Sequence, residues 1–336
     1  MKQVRNILAI RFARLGDVIL LLPALSAIKA SLPHARLTLL TGHRCAPIGE
    51  MCPAVDEVIC VDRLAMRDGS VWRAMRDVKQ LAADIRKREF DTVIDFHSFR
   101  ETNLLTWFSR APIRVGMRRY NAPYLSFCFN RPAVNEDKTL HVSEMFRRVA
   151  EALPGVDSSS RSSAAIRVPE SDRLWIEREI PRRPRLSLYV DAPVDDRRWP
   201  PEYFAAVADY AVESMQAQPI VLASPGNEAV LTRVLAASRK ATELRVFPGL
   251  PLPRLAAAIG SSTLLISNDT GPMHLGPALG VRTLGLFSVG LPEHFRPIGK
   301  GDGYLKAVPI DRISVKQVIE EVGRMWTKTV DRDLPR

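Results

Sequence analysis

The stretch LLISNDTGPMH, residues 264–274, joins an apolar run to a polar loop. The run Leu264–Ser267 has the composition of a buried β-strand, and the sequence predicts a helix from about Met273 to Leu279. The same alternation of short apolar runs with amphipathic stretches recurs along most of the chain. Strands that alternate with helices predict a parallel sheet covered on both faces, so the fold class is α/β.

The loop in this stretch has the features of a phosphate site. Ligands of open α/β sheets bind beyond the carboxyl ends of the strands, where helix N-termini offer free N–H groups. Gly271 would let the backbone approach a phosphate, and the ring of His274 would donate a hydrogen bond to it. The same residues also fit a loop in which Asp269 or Thr270 only caps the helix.

The length of the chain predicts more than one domain. Its 336 residues exceed the roughly 250–300 residues that one hydrophobic core supports. A polar, turn-rich segment at 153–163 separates two α/β patterns. We therefore predict two Rossmann-like domains that face a cleft, residues 1–165 and 166–312. Residues 313–336 are predicted to be a C-terminal helix and tail that packs back on them.

The composition places the chain among soluble proteins. Hydrophobic residues make up 46% and charged residues 25%, and no apolar run reaches the ~20 residues of a membrane span. Arg11, Arg14 and Asp17 interrupt the first apolar segment, which argues against a signal peptide. The four cysteines have no metal-site spacing and are interpreted as reduced thiols in the cytoplasm.

The positive charge is concentrated in the first half. Of the net charge of +11, residues 1–168 carry +9, from 26 Lys and Arg against 17 Asp and Glu. Such a surface fits nucleic acid, an anionic membrane or a phosphorylated acceptor, and also a basic face that serves solubility alone. No nucleic-acid motif or aromatic stacking platform accompanies the charge, so a nucleic-acid partner is not expected.

Three further polar clusters follow predicted strands. Asp17 follows the first strand with Gly16 as the one glycine, so the GxGxxG fingerprint of NAD enzymes is missing. This carboxylate is a candidate general base or a simple helix cap. Arg197 lies in an arginine-rich loop suited to phosphate or to pairing with its acidic neighbours. Glu228 would accept hydrogen bonds from a ribose or favour a helix N-terminus by its charge.

Taken together, these motifs resemble one family. The strings RLGDV at 14–18, PAL at 23–25, WP at 199–200, GNE at 226–228 and NDTGPMH at 268–274 stand in the order and spacing of the ADP-heptose:lipopolysaccharide heptosyltransferases. The likeness runs from about residue 5 to residue 300. It implies a GT-B fold and an inverting, metal-independent glycosyl transfer without a cofactor.

The resemblance also assigns roles. Asp17 would be the catalytic base, and Glu228 would contact the ribose of the donor, ADP-heptose. The donor pyrophosphate would lie against Arg197 and the loop residues Asp269, Thr270, Gly271 and His274. Two positions depart from the family pattern. Arg197 stands where a lysine is usual, and Asp191 lies in a loop that is usually small and polar. Two alternatives to an ADP-heptose transferase are therefore a related glycosyltransferase that uses another nucleotide sugar and a nucleotide-binding homologue without turnover.

The acceptor implied by the resemblance is a lipopolysaccharide core or lipid A precursor at the cytoplasmic face of the inner membrane. The protein would then be cytoplasmic and peripherally associated with that membrane. Basic residues of the first half would bind the acceptor's phosphates, or form no more than a solvated face. The candidates for the acceptor site are Gly16, Arg63, Arg67, Arg73, Arg76, Arg114, Arg118 and Arg119.

Overall fold

The computed structural model describes residues 4–12, 14–62, 71–157, 166–181 and 183–330, and only the backbone of 71–75 and 327–330. The chain forms two compact units, Met1–Ala164 and Ala165–Arg336. The division lies one residue before the boundary predicted from the sequence. Part of the predicted linker, residues 158–163, lies outside the described residues.

The first unit is built on a six-stranded sheet in which all neighbouring strands are parallel. Its strands are β1 (Asn6–Arg11), β2 (Arg36–Gly42), β3 (Glu57–Val61), β4 (Thr92–Asp95), β5 (Ile113–Arg118) and β6 (Val134–Asn135). Its helices are α1 (Leu15–Ser31), α2 (Ala46–Glu50), α3 (Val71–Lys87), α4 (Arg100–Phe108) and α5 (Val142–Glu151).

The second unit also has a six-stranded parallel sheet. Its strands are β7 (Arg185–Tyr189), β8 (Gln218–Ala223), β9 (Arg245–Pro248), β10 (Leu264–Asn268), β11 (Arg282–Phe287) and β12 (Gly303–Lys306). Its helices are α6 (Glu170–Glu179), α7 (Pro201–Glu213), α8 (Glu228–Ala237), α9 (Leu252–Gly260), α10 (Leu275–Ala278), α11 (Pro292–Phe295) and α12 (Val315–Val330).

The two sheets share one strand order. The first runs β3-β2-β1-β4-β5-β6, and the second, read from its other edge, runs β9-β8-β7-β10-β11-β12. Each is therefore the doubly wound order 3-2-1-4-5-6, in which the chain reverses direction between the first and fourth strands. Ligands of such sheets bind at this switch point. The two candidate places are therefore the carboxyl ends of β1 and β4 in the first unit and those of β7 and β10 in the second.

Apolar segments explain why these elements form. The four central residues of β1, Ile7–Ile10, are fully buried. Most residues of α1 are also buried, because apolar side chains lie all around this helix. Helix α1 packs against α5. In the second unit Trp199 is fully buried against Phe204, and its indole donates to the carbonyl of Ile313 at 2.8 Å.

The structure corrects the helix predicted after β10. Instead of one helix from Met273 to Leu279, a 3₁₀ turn spans Gly271–His274 and leads into the four-residue α10. Pro277 lacks the N–H group that a continuous α-helix through this segment would use. The C-terminal α12 packs against α7 in the second unit. No helix in the described part of the chain is long and apolar enough to span a bilayer.

Candidate functional site

The switch point of the first unit holds Asp17. The carboxylate Oδ1 of Asp17 lies 3.0 Å from Nη2 of Arg11, the last residue of β1. Its side chain is 28% exposed, whereas that of Arg11 is 5% exposed. No side chain caps the N-terminus of α1, and Gly16 is buried in its first turn. Asp17 is therefore an ion-paired, partly accessible carboxylate, and the capping interpretation does not describe it.

Arg11 lies at the same switch point as the partner of Asp17, and the sequence assigned it no role. Its Nη1 donates to the carbonyl of Phe96 at 2.8 Å, and its guanidinium lies 4.8 Å from the ring centroid of Phe146. Burial lowers the pKa of Arg11 to about 10, against the opposing effect of Asp17. A cation held this firmly fixes the position of the carboxylate beside it. In the sequence, the one feature that could have indicated a role for Arg11 is its position as a charged residue at the end of an apolar strand.

The loop after β4 completes this edge. The carboxylate of Asp95 is fully buried and accepts the backbone N–H groups of His97 at 3.0 Å and Ser98 at 2.7 Å. It also accepts the side-chain amide of Asn103 at 3.0 Å. Burial raises the pKa of Asp95 to about 6, and these hydrogen bonds oppose the rise. The bonds shape the loop that presents the Phe96 carbonyl to Arg11.

The candidate acceptor arginines separate into groups. Arg119 donates to the carbonyl of His97 at 2.7 Å and stacks over Phe99, which brings it to the edge that holds Arg11. Arg118 is exposed beside Tyr124. Arg114 donates to the carbonyl groups of Ala111 and Cys128, so its guanidinium supports the fold.

Four candidate arginines remain, of which the structure describes the side chain of Arg76. Arg76 is 77% exposed beside Asp77. Arg63, Arg67 and the side chain of Arg73 lie outside the described residues.

Asn268 organises the switch point of the second unit. This buried side chain donates to the carbonyl groups of Val190 at 3.1 Å and Asp191 at 3.2 Å, and it accepts the N–H of Trp199 at 3.0 Å. One amide thus joins the loop after β7 to the end of β10. The sequence placed Asn268 in the motif without a role, because its partners lie far away along the chain.

Asp191 has a structural role in the same loop. Its carboxylate is buried and accepts the N–H of Ala192 at 2.8 Å and the amide of Asn227 at 2.9 Å. Arg198 pairs with it at 3.4 Å. The sequence raised the concern that Asp191 would repel a pyrophosphate, and these three partners account for its charge within the loop.

An ion pair between Arg197 and Asp269 joins the loop after β7 to the loop after β10. Nη1 of Arg197 lies 3.2 Å from Oδ2 of Asp269, and the arginine side chain is 34% exposed. Burial raises the pKa of Asp269, while Arg197 opposes the rise. Gly290, after β11, packs closely enough that a β-carbon there would lie 2.1 Å from Oδ2 of Asp269. Gly290 is therefore a supporting residue that the motif search missed.

Thr270 carries the one hydroxyl of the loop that the fold leaves unused. It occupies the N-cap position of the 3₁₀ turn without making a side-chain cap. Its Oγ1 is buried and has no hydrogen-bond partner. A buried polar atom without a partner is costly unless a ligand or water satisfies it. His274 lies buried in the same 3₁₀ turn as Gly271.

Glu228 begins α8 and is exposed. Its Oε1 accepts the N–H of Gly226 at 3.2 Å, and its charge lies in the first turn of α8, the position on which the sequence based its alternative of a favourable charge at a helix N-terminus. Nearby, the hydroxyl groups of Tyr189 and Ser224 are 2.7 Å apart. Among the described residues, no three His, Cys, Asp or Glu side chains are grouped as a metal site would require.

Comparison with known proteins identifies the family. Residues 78–312 match the profile of glycosyltransferase family 9 (heptosyltransferase). The chain belongs to glycosyltransferase family 9. The resemblance drawn from the sequence motifs is therefore confirmed, and the protein is a heptosyltransferase-like glycosyltransferase.

Individual relatives of this family 9 chain agree. It is 25% identical to lipopolysaccharide heptosyltransferase 1 of Pseudomonas aeruginosa over 89% of its own length and 83% of that protein's. A glycosyl transferase family 9 structure from Veillonella parvula superposes with a TM-score of 0.84 at 26% identity, over 98% of this chain and 99% of that one.

The fold is also that of an E. coli heptosyltransferase. The structure of that enzyme, WaaC, with ADP-2-deoxy-2-fluoro heptose gives a TM-score of 0.78 at 19% identity, over 95% of this chain and 99% of that one. These likenesses confirm the predicted GT-B fold class.

Proposed function

We propose that this glycosyltransferase transfers a heptose from ADP-heptose to a lipopolysaccharide core acceptor, with inversion at the anomeric carbon. The heptosyltransferase family and the relative from P. aeruginosa, which is named for lipopolysaccharide, support this choice of sugar and acceptor. The adenine nucleotide is supported by the E. coli structure, whose ligand is an ADP-heptose analogue.

The observation that carries the donor half of the proposal is the unused hydroxyl of Thr270. It lies at the switch point of a doubly wound sheet, in the turn that also holds Gly271 and His274. In the proposed complex Thr270 and the backbone of this turn donate to the pyrophosphate, His274 adds its ring, and Glu228 accepts from the ribose. Arg197 faces the same phosphates from its pair with Asp269.

Asp17 supplies the chemistry in this proposal. The carboxylate takes the proton from the acceptor hydroxyl while the hydroxyl oxygen attacks the anomeric carbon of the heptose. The bond from that carbon to the ADP oxygen breaks as the new bond forms, so the configuration inverts. Arg11 fixes the carboxylate for this step. The charge on departing ADP is stabilised by the fixed donors described above, and no metal or cofactor enters the proposal.

The acceptor is proposed to meet the first unit beside Asp17. Gly16 lies in the same turn of α1, and Arg119 reaches the same edge through the loop after β4. Arg118 is exposed at the end of β5, where a phosphorylated sugar can be reached. The enzyme would then work in the cytoplasm at the inner leaflet of the membrane, where such acceptors are made.

The test is a panel of nucleotide sugars against truncated lipopolysaccharide acceptors, with products identified by mass. ADP-heptose is expected to give an acceptor one heptose heavier, whereas UDP and GDP sugars give none. Transfer from another nucleotide sugar would replace the proposed donor. ADP binding without transfer to any acceptor in the panel would favour a homologue without turnover.

A further inference from the structure

Three large aromatic side chains lie exposed together in the first unit. Trp107, Phe108 and Phe127 are 44%, 48% and 60% exposed. The ring centroid of Trp107 lies 5.0 Å from the ring centroid of Phe108 and 6.1 Å from that of Phe127. Single exposed apolar residues are ordinary, but a contiguous exposed apolar patch marks an interaction surface. We call these three residues the aromatic patch.

The fold holds the aromatic patch in place. Phe108 ends α4, and Phe127 lies in the 3₁₀ turn Ser126–Cys128. Arg114 joins the two segments, because it donates to Ala111 O at 2.7 Å and to Cys128 O at 2.8 Å.

Asn130 adds a second link between the same segments. Its side chain accepts the N–H of Arg114 and donates to Pro112 O, both at 2.8 Å. The three rings are therefore presented by a braced surface, and little ordering is needed when a partner binds.

The segment of the chain that carries the aromatic patch is basic. From Thr102 to Asn135 the chain contains five arginines and no aspartate or glutamate. Arg110 and Arg131 are exposed beside the patch, and neither belongs to an ion pair among the described residues. Two acidic residues precede β4 at this edge: Asp91 uses its carboxylate to accept the N–H groups of Arg5 and Asn6, and Glu89 is exposed.

We propose that the aromatic patch, with Arg110 and Arg131, is the surface that docks the enzyme on an anionic lipid bilayer. Tryptophan and phenylalanine side chains insert at the boundary between head groups and acyl chains, and basic residues beside them are attracted to anionic lipids. Apolar rings alone would equally fit a protein partner. The positive charge of Arg110 and Arg131 is complementary to a negative lipid surface, and it disfavours pairing with a second copy of the same surface.

The position of the patch suits an amphiphilic acceptor, a step that rests on the proposed function. Helix α4 runs back from the end of β4 to the start of β5, so the patch lies at the amino ends of the strands. Asp17 lies at their carboxyl ends. Strands β4 and β5, of four and six residues, separate these edges by roughly 13–20 Å. Docking therefore leaves the Asp17 edge open to sugars that extend from the bilayer.

Binding of the purified full chain to vesicles tests the docking surface without donor or acceptor. Phosphatidylglycerol–phosphatidylethanolamine vesicles are expected to bind the protein, and pure phosphatidylcholine vesicles much less. Replacing Trp107→Ser together with Phe127→Ser should lower the partition coefficient about tenfold or more. Leu174→Ser, an apolar residue of the second unit that is 52% exposed, is the matched control and should bind as wild type.

The charge contribution has its own pair of variants. Arg110→Gln with Arg131→Gln should weaken binding about tenfold or more, and added salt should reduce the difference. Arg312→Gln, an exposed arginine of the second unit, should leave binding within about twofold of wild type. Thermal unfolding of each variant verifies that these exposed substitutions leave the fold intact.

Brominated lipids report the contact directly. They should quench the fluorescence of Trp107, and Trp107→Phe should lose that quenching while still binding. Unchanged partition of the patch variants, or equal binding to phosphatidylcholine, overturns the proposal. Loss of a lipid-free dimer in those variants would also overturn it and assign the patch to a second copy. Because no substrate is present, intact vesicle binding with absent transfer would count against the proposed function alone.

Discussion

A substitution at Thr270 is expected to change ligand affinity without loss of stability, because the fold does not use its hydroxyl. Its hydroxyl is buried but makes no hydrogen bond within the protein. Thr270→Val keeps the size and removes the unpaired hydroxyl, so we expect the free energy of unfolding to stay the same or to rise by about 1–2 kcal/mol. The affinity for ADP should fall about tenfold, since a hydrogen bond to a charged group is lost. Thr270→Ser should retain affinity. Calorimetric titration checks both, and equal ADP affinity of the valine variant would remove Thr270 from the site.

His274 lies in the same turn but is buried in the fold. We expect His274→Ala to weaken donor binding, while acceptor binding, proposed for the other unit, survives. The truncation should also lower stability by about 1–2 kcal/mol, because it leaves a cavity. Binding is measured below the melting transition, with His34→Ala as a control in the first unit. Donor affinity equal to that of wild type would mean that His274 serves the fold alone.

At the scale of elements, the loop after β11 supports the donor segment. Gly290→Ala would place a β-carbon 2.1 Å from Oδ2 of Asp269, so the carboxylate must move from its pair with Arg197. We expect the KM for the donor to rise several-fold, with a stability cost of about 1 kcal/mol. Gly42→Ala is the matched control, since nothing lies within 4 Å of its β-carbon. Steady-state kinetics distinguishes them, and an unaffected donor KM for Gly290→Ala would show that this packing is unimportant.

The loop after β4 predicts a pH dependence of stability. Burial raises the pKa of Asp95 from 3.8 to about 6, so in this window the folded state keeps a proton that the unfolded state releases. The stability contributed by this group is therefore full below pH 3.8 and is lost as the pH rises through 6. Asp95→Asn removes the dependence. The wild-type minus variant difference in unfolding free energy should fall by about 1–3 kcal/mol from pH 4 to pH 7.

Denaturant unfolding of both proteins at several pH values gives this difference. Carboxyl groups elsewhere titrate equally in both proteins and cancel, among them Asp302, whose pKa is raised to about 6. A difference that stays flat, or that grows with pH, contradicts the assignment.

Some elements could be read from the sequence and others could not. The starts of helices α7, α8 and α9 can be predicted from the sequence, since proline or glutamate stands at or beside the first residue of each. Strand β5 is hard to predict because arginine and glycine interrupt its apolar pattern. Strands β9 and β12 are hard to predict because they are short, half-exposed edge strands. Without β5 the sequence could not place Arg119 beside Arg11.

At the scale of the whole molecule, the sequence predicted the α/β class and the family because local strings carry both. The hydrogen bonds that support the two sites could not be predicted from the sequence, because they join distant residues. Arg11 donates to a carbonyl 85 residues away, and Asn268 accepts from Trp199 across 69 residues. Such contacts depend on the shared 3-2-1-4-5-6 order, which is a property of the folded units. The motif at 264–274 thus identified a loop, and the structure supplies the side chains that hold it.

The most direct test of the account is transfer from ADP-heptose to heptose-deficient lipopolysaccharide by the wild-type enzyme and by Asp17→Asn. The wild type should add one heptose with an anomeric configuration opposite to that of the donor. The variant should lose at least about 10²-fold in rate while its ADP affinity stays within a few-fold of wild type. Asp311→Asn, an exposed aspartate of the second unit, should transfer normally. Near-normal turnover by Asp17→Asn, or retention of the donor's configuration, would contradict the account.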